Sequence, residues 1–167
     1  MATATLLSVE EYLATHFERE PEYVRGELVE KAMPNWDHGS AQAEIIIQVR
    51  RQASHLHAIP ELRLHVEPDV FRLPDIAIYT ERPPGRIPTD PPLAAIEILS
   101  PDDKFFELME KFAEYERWGV RYIWLVDPQS RSFSIYRAGS LLAVDKFEVL
   151  EHNLTLATTD LFPETQA

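Results

Sequence analysis

No cysteine occurs in the chain. Disulfides and thiolate metal centres are therefore excluded, and any bound metal has to use carboxylate, imidazole or carbonyl ligands. Glycine is scarce too: there are five, none clustered, so no glycine-rich loop is available to cradle a small nucleotide's phosphates. No apolar run approaches the roughly 18 residues of a membrane span. The opening MATATLLSVEEY has neither the basic nor the apolar region of a secretory signal, and a cytoplasmic protein is the expectation. Positive charge is also short, with 16 Lys and Arg against 28 Asp and Glu and a formal net charge of −12. Tight non-specific nucleic-acid binding rests on a basic face, which this balance does not supply for the body as a whole. One stretch differs: residues 45–60 carry Arg50, Arg51, His55 and His57 and no acid.

What is present reads as one domain over residues 1–167, large enough to bury roughly 70% of its unfolded surface. Ser8-Val9-Glu10-Glu11 is a capping box that predicts a helix over 9–16, with Leu7 and Tyr12 placed as a hydrophobic staple. Two short strands flank a turn at Gly26. The loop 34–40 leads into a helix expected at 40–57, whose Ile45, Ile46, Val49, Ala53 and Leu56 follow helical spacing. Strands are expected around Leu64, after Asp69, from Asp75, and over 93–99. The last has no alternation, so both its faces should be covered. A helix at 102–118, capped by Asp102 and ended by Gly119, should present Phe105, Leu108, Met109, Phe112 and Tyr115 on one side. An apolar strand at 121–126 and peripheral strands over 132–157 complete a mixed α/β domain with helices on both faces. The unit 93–126 is strand–helix–strand and should be parallel.

Two lone carboxylates sit inside these apolar strands: Asp75 opens Pro74-Asp75-Ile76-Ala77-Ile78, and Glu97 interrupts Ala94-Ala95-Ile96-Glu97-Ile98. A buried carboxylate is costly unless paired, hydrogen-bonded or on a metal. If the two strands pair, the acids meet across the ladder. A hard cation such as Mg²⁺ or Mn²⁺ would take Asp75, Glu97 and a backbone carbonyl from Ile98, with waters completing its shell. The plainer alternative is that each acid pairs with Arg or Lys.

Several segments together resemble the Uma-two family of restriction-endonuclease-like proteins, within the PD-(D/E)XK nuclease superfamily. They are Arg25-Gly26-Glu27-Leu28-Val29-Glu30, His38-Gly39, Leu73-Pro74-Asp75-Ile76-Ala77, Glu97-Ile98-Leu99-Ser100-Pro101, Lys111 through Gly119-Val120, and Tyr122-Ile123-Trp124-Leu125-Val126-Asp127-Pro128. The resemblance spans residues 8 to about 137, most of the chain. It implies a restriction-endonuclease-like core (about 20–137), a central mixed sheet flanked by helices, and metal-dependent hydrolysis of DNA phosphodiester bonds. Asp75 and Glu97 would be its two acids. The superfamily's lysine belongs two residues after the second acid, where this chain has Leu99. The resemblance therefore moves that role to Lys111, on the following helix.

Glu27 would match a further acid near the metal, although a residue beside a turn glycine can simply be exposed. His38 would match the family's histidine; it either caps the next helix or contacts substrate phosphate. Arg50, Arg51 and Arg63 are the basic residues expected along the DNA path. A homodimer is expected, since many enzymes that cut both strands are dimers. The alternative is a nuclease fold without activity, a binding or assembly module in which Asp75, Glu97 and Lys111 form a buried ion network.

Overall fold

The structure is a computed structural model and describes residues 6–162. Helix α1 (Val9–Ala14) starts at the capping box: the Ser8 side chain accepts from the Glu11 N–H and Glu11 accepts from the Ser8 N–H. Strands β1 (Glu22–Val24) and β2 (Glu27–Val29) form a hairpin whose turn residues, Arg25 and Gly26, both have positive φ, 50° and 94°. That geometry selects glycine at the second position, where an added Cβ would meet Leu6 at 3.0 Å.

Helix α2 (Trp36–Gln52) begins four residues before the expected start. The Asn35 side chain accepts from the His38 N–H and caps it, so the segment that reads as a loop is already helical and His38 lies in its first turn. It also ends earlier, because His57 belongs to strand β3 (His57–Pro60). Strands β4 (Leu64–Glu67), β5 (Val70–Arg72), β6 (Ile76–Tyr79) and β7 (Ala94–Ile98) follow.

Helix α3 (Phe105–Trp118) starts three residues later than expected. Asp103, rather than Asp102, closes the preceding turn by accepting the Ser100 N–H. Phe105 consequently stands at the helix start and is exposed instead of joining the core. Gly119 ends α3 in the left-handed region, φ 108°. Then come β8 (Tyr122–Asp127), β9 (Ser132–Arg137), β10 (Ser140–Val144), β11 (Lys146–Val149), β12 (Leu154–Ala157) and α4 (Thr158–Leu161).

The main sheet has six strands in the order β10-β9-β8-β7-β6-β3; β2-β1-β5-β4 form a second sheet, and β11-β12 a third. Among the described residues only β7 and β8 are parallel, joined through α3 as expected; the other pairs of this sheet are antiparallel. Strand alternation gives the main sheet two faces. Ile76, Ile78, Ile96, Ile98 and Val126 pack with Ala41, Ile45 and Val49 of α2 and with Phe147, Val149, Leu154 and Leu156. The C-terminal apolar residues thus cover the chain's own sheet. On the other face Ala77, Ala95, Ile123 and Leu125 meet Leu108, Phe112 and Tyr115 of α3. No helix among the described residues is long and apolar enough to cross a membrane.

Candidate active site

β6 and β7 pair with Ile76 opposite Ile96 and Ala77 opposite Ala95. One further step in that register sets Asp75 against Glu97, and directly opposite residues share a face. Both carboxylates are therefore on the α3 side, at the point where the ladder opens. Instead of a backbone bond there, Asp75 Oδ2 accepts the Ile98 N–H at 2.6 Å. A residue's N–H and C=O leave a strand on the same edge, so the Ile98 carbonyl also points to the Asp75 side. The Asp75 backbone is fixed by Gln42 of α2, whose side-chain N–H₂ donates to its carbonyl at 2.8 Å.

These groups line a cleft of about 390 Å³, together with Glu22, Lys31, His38, Glu61, Arg72, Asp103, Lys104 and Lys111. Lys111 projects from α3 between two acids, its Nζ 2.6 Å from Glu22 Oε1 and 2.8 Å from Glu97 Oε1. Tyr115, one turn on, donates its hydroxyl to the same Glu97 oxygen at 3.0 Å. Behind them Arg72 bonds Glu22 at 2.9 Å and Glu114 at 2.6 Å, and Glu114 reaches Arg25 at 3.2 Å. Glu22 Oε1 also accepts the Leu73 N–H at 2.9 Å. On the other side Lys31 Nζ lies 2.7 Å from Asp75 Oδ1 and 2.7 Å from Glu61 Oε2. His38 Nε2 is 3.3 Å from Asp75 Oδ2, while its Nδ1 is buried without a partner among the described residues.

The charges do not balance at depth. Four carboxylates are buried (Glu22, Asp75, Glu97 and Glu114) against two buried cations, Arg72 and Lys111. The acids respond differently. Burial pushes the Asp75 carboxyl up, but the His38 hydrogen bond and the Lys31 ammonium outweigh it and hold the group well below the usual carboxylate range. Burial likewise raises Glu22, and Lys111 and Arg72 reverse the effect. For Glu97, burial wins over Lys111, and the neighbouring Asp75 charge adds to it, raising the carboxyl to about 7. Burial works against the Lys111 ammonium, yet Glu22 and Glu97 raise its pKa above normal, so it remains a cation.

A divalent cation fits this donor set. The ligands on offer are hard oxygens, Asp75, Glu97 and the Ile98 carbonyl, and no described protein donor is bonded to Glu97 Oε2. No group of three or more Asp, Glu or His side chains converges on one point among the described residues. Such a site has two carboxylates and relies on a carbonyl and waters for the rest, which suits Mg²⁺ or Mn²⁺.

Of the residues singled out from the sequence, Asp75, Glu97, Ile98, Lys111 and His38 meet in this cleft. Glu27 does not: β2 is an edge strand paired only with β1, and Glu27 is exposed on it, outside the cleft. The acid that reaches Lys111 is Glu22, on β1. Arg50 and Arg51 are exposed near the C-terminal end of α2, about 18 Å along the axis from His38 at 1.5 Å per residue. They do not line the cleft either. Arg63 is engaged with Glu20 at 2.6 Å. Sequence reasoning missed Glu22, Arg72, Glu114, Lys31 and Glu61. Arg72 carried a usable signal, a charge embedded in Val70-Phe71-Arg72-Leu73, of the kind that marks Asp75 and Glu97.

A mixed sheet with one parallel crossover, two opposed acids at its opening ladder and a lysine delivered by the crossover helix defines a nuclease-type α/β fold. The chain belongs to the Uma2 family, whose model, described as "Putative restriction endonuclease", matches residues 9–167. Its structure is similar to the 1.96 Å crystal structure of a "putative nuclease belonging to DUF820" from Anabaena variabilis ATCC 29413. The two share 26% identity over 93% of this chain and 97% of that one, with a TM-score of 0.82. None of the curated proteins matches the chain.

Proposed function

We propose that this chain is a divalent-cation-dependent endonuclease that hydrolyses DNA phosphodiester bonds. The observation that carries the reading is the opposition of Asp75 and Glu97 with the Lys111 ammonium 2.8 Å from Glu97. Asp75, Glu97 and the Ile98 carbonyl would hold Mg²⁺ or Mn²⁺. When bound, the ion supplies positive charge to the scissile phosphate and lowers the pKa of an attacking water.

The protein's own part follows from the geometry. Lys111 is held charged and in place by Glu22, so it acts as a fixed cation facing the phosphate oxygens rather than as a base. Glu22, Arg72 and Glu114 position it, and Tyr115 fixes the Glu97 carboxylate. His38 holds Asp75 from the α2 side. Arg19 and Lys104 line the same cleft and are exposed, so they would be open to the backbone of a strand entering it. Arg50 and Arg51, at the far end of α2, would contact only a duplex that extends well beyond the cleft. One cleft cuts one strand, so cleavage of both strands in a single encounter calls for a homodimer.

The test is cleavage of supercoiled plasmid with Mg²⁺ by the wild type, Asp75→Asn and Lys111→Ala. Cutting by the wild type alone, abolished by EDTA, supports the reading. Equal cutting by all three overturns it. A second reading, an inactive binding or assembly module, is favoured by one observation: each buried acid already touches a protein cation. It predicts no cleavage by the wild type at any Mg²⁺ or Mn²⁺ concentration.

A further inference from the structure

Asp75 has two carboxylate oxygens, and both are engaged. Oδ2 takes the Ile98 N–H at 2.6 Å and faces His38 at 3.3 Å. Those partners are built into β7 and the first turn of α2, so this oxygen is committed by the fold. Among the described residues Oδ1 is held by Lys31 alone, at 2.7 Å. Lys31 differs from the other cations of the site. It lies just past the end of β2, in an irregular stretch before α2, and its ammonium bridges inward to Asp75 and outward to Glu61. The Glu61 side chain is 47% exposed, whereas that of Asp75 is 4% exposed. A small rotation of the four-carbon stem would leave Lys31 paired with Glu61 and release Oδ1.

We propose that Lys31 is an internal counter-cation that occupies the Asp75 side of the site until a divalent cation displaces it toward Glu61. The inference rests on the metal-site reading above and deepens it. A divalent ion about 2.1 Å from Oδ1 and an ammonium 2.7 Å from the same oxygen would stand within about 5 Å of each other. At a partly buried position that repulsion is strong. The two cations therefore exclude one another, and the ammonium supplies the charge that the buried acids lack while the ion is absent. In this arrangement the metal affinity is set by competition: a site open for only 1–10% of the time binds about 10–100-fold more weakly than an open one.

Calorimetric titration with Mn²⁺ alone tests this on the full chain. Lys31→Met should bind about 10–100-fold more tightly than the wild type, in line with the removal of that competition. Lys31→Arg, which keeps the charge, should stay close to the wild type, and Asp75→Asn should lose binding. Thermal unfolding gives a second readout. In EDTA, Lys31→Met should melt below the wild type, and Mn²⁺ should raise its Tm by more than it raises the wild type's. A third needs no variant: in wild-type protein with ¹⁵Nζ-labelled lysine, the Lys31 ammonium signal should shift on adding Mg²⁺. Equal or weaker Mn²⁺ binding by Lys31→Met, with Asp75→Asn still abolishing it, would overturn the role of Lys31 and leave the metal site standing. An unmoved Lys31 signal at saturating Mg²⁺ would do the same. No binding by any form would overturn the metal site, and the competition with it.

Discussion

Asp75 and Glu97 stand opposite each other, yet their surroundings are of different kinds. Glu97 belongs to an ionic chain closed to solvent over Glu97–Lys111–Glu22–Arg72–Glu114, all five buried, which opens at its far end where Glu114 meets the half-exposed Arg25. Asp75 meets Lys31 and, through it, the exposed Glu61. Removing one partner from a buried chain leaves a charge that water cannot reach, whereas the cation beside Asp75, Lys31, already has a second, half-exposed partner in Glu61. A fixed lysine on one side and a cation with an alternative partner on the other would suit the proposed site, in which Lys111 stays in place and a metal replaces Lys31 at Asp75.

The largest effect should come from breaking the closed half. Lys111→Met leaves the buried Glu97 with no paired cation and Glu22 with Arg72 alone, and should cost about 3–5 kcal/mol in urea unfolding. A cost under about 1 kcal/mol would mean that water reaches the chain and that the two halves are alike. Lys31→Met should cost less, about 1–3 kcal/mol in EDTA, because Asp75 keeps the Ile98 N–H and His38.

pH separates the halves further. The Asp75 carboxyl is depressed, so its stabilisation is present above its ordinary value of 3.8 and is lost only as pH falls below it. Glu97 is raised to about 7, so its contribution is complete below 4.5 and is lost as pH rises through 7. In EDTA, Glu97→Gln should therefore gain stability relative to the wild type between pH 4.5 and pH 8. Asp75→Asn should remain less stable than the wild type over the same range. Parallel profiles for the two variants would erase the distinction. At the small end, Glu27→Ala and the double variant Arg50→Ala/Arg51→Ala touch neither half. Each should change stability by no more than about 0.5 kcal/mol, with plasmid cutting unchanged for Glu27→Ala.

The legibility of these halves in the sequence differed for physical reasons. An acid in an otherwise apolar strand is conspicuous, and the register of β6 with β7 follows from two adjacent apolar runs, so Asp75 and Glu97 could be paired on paper. Lys111 came from the family resemblance, because Leu99 stands where the simple motif has its lysine. The rest of the closed half joins residues far apart in the chain, such as Arg72 to Glu22 and Glu114, and only the packed sheets bring them together. Lys31 was illegible: a lysine in a polar stretch carries no pattern, and its partner Glu61 is equally ordinary. Helix starts failed locally, because Asn35 and Asp103 use side-chain bonds to the backbone that single-residue propensities do not reveal. The acid expected from the family resemblance, Glu27, lies across the hairpin turn from Glu22, a five-residue shift that moves it from the buried strand to the edge strand.

The most direct measurement is an anomalous-difference map from a crystal soaked in Mn²⁺. The predicted result is one peak within about 2.0–2.3 Å of carboxylate oxygens of both Asp75 and Glu97, with the Lys31 ammonium turned onto Glu61. A map with no peak at that position, and Lys31 still 2.7 Å from Asp75 at saturating Mn²⁺, would contradict it.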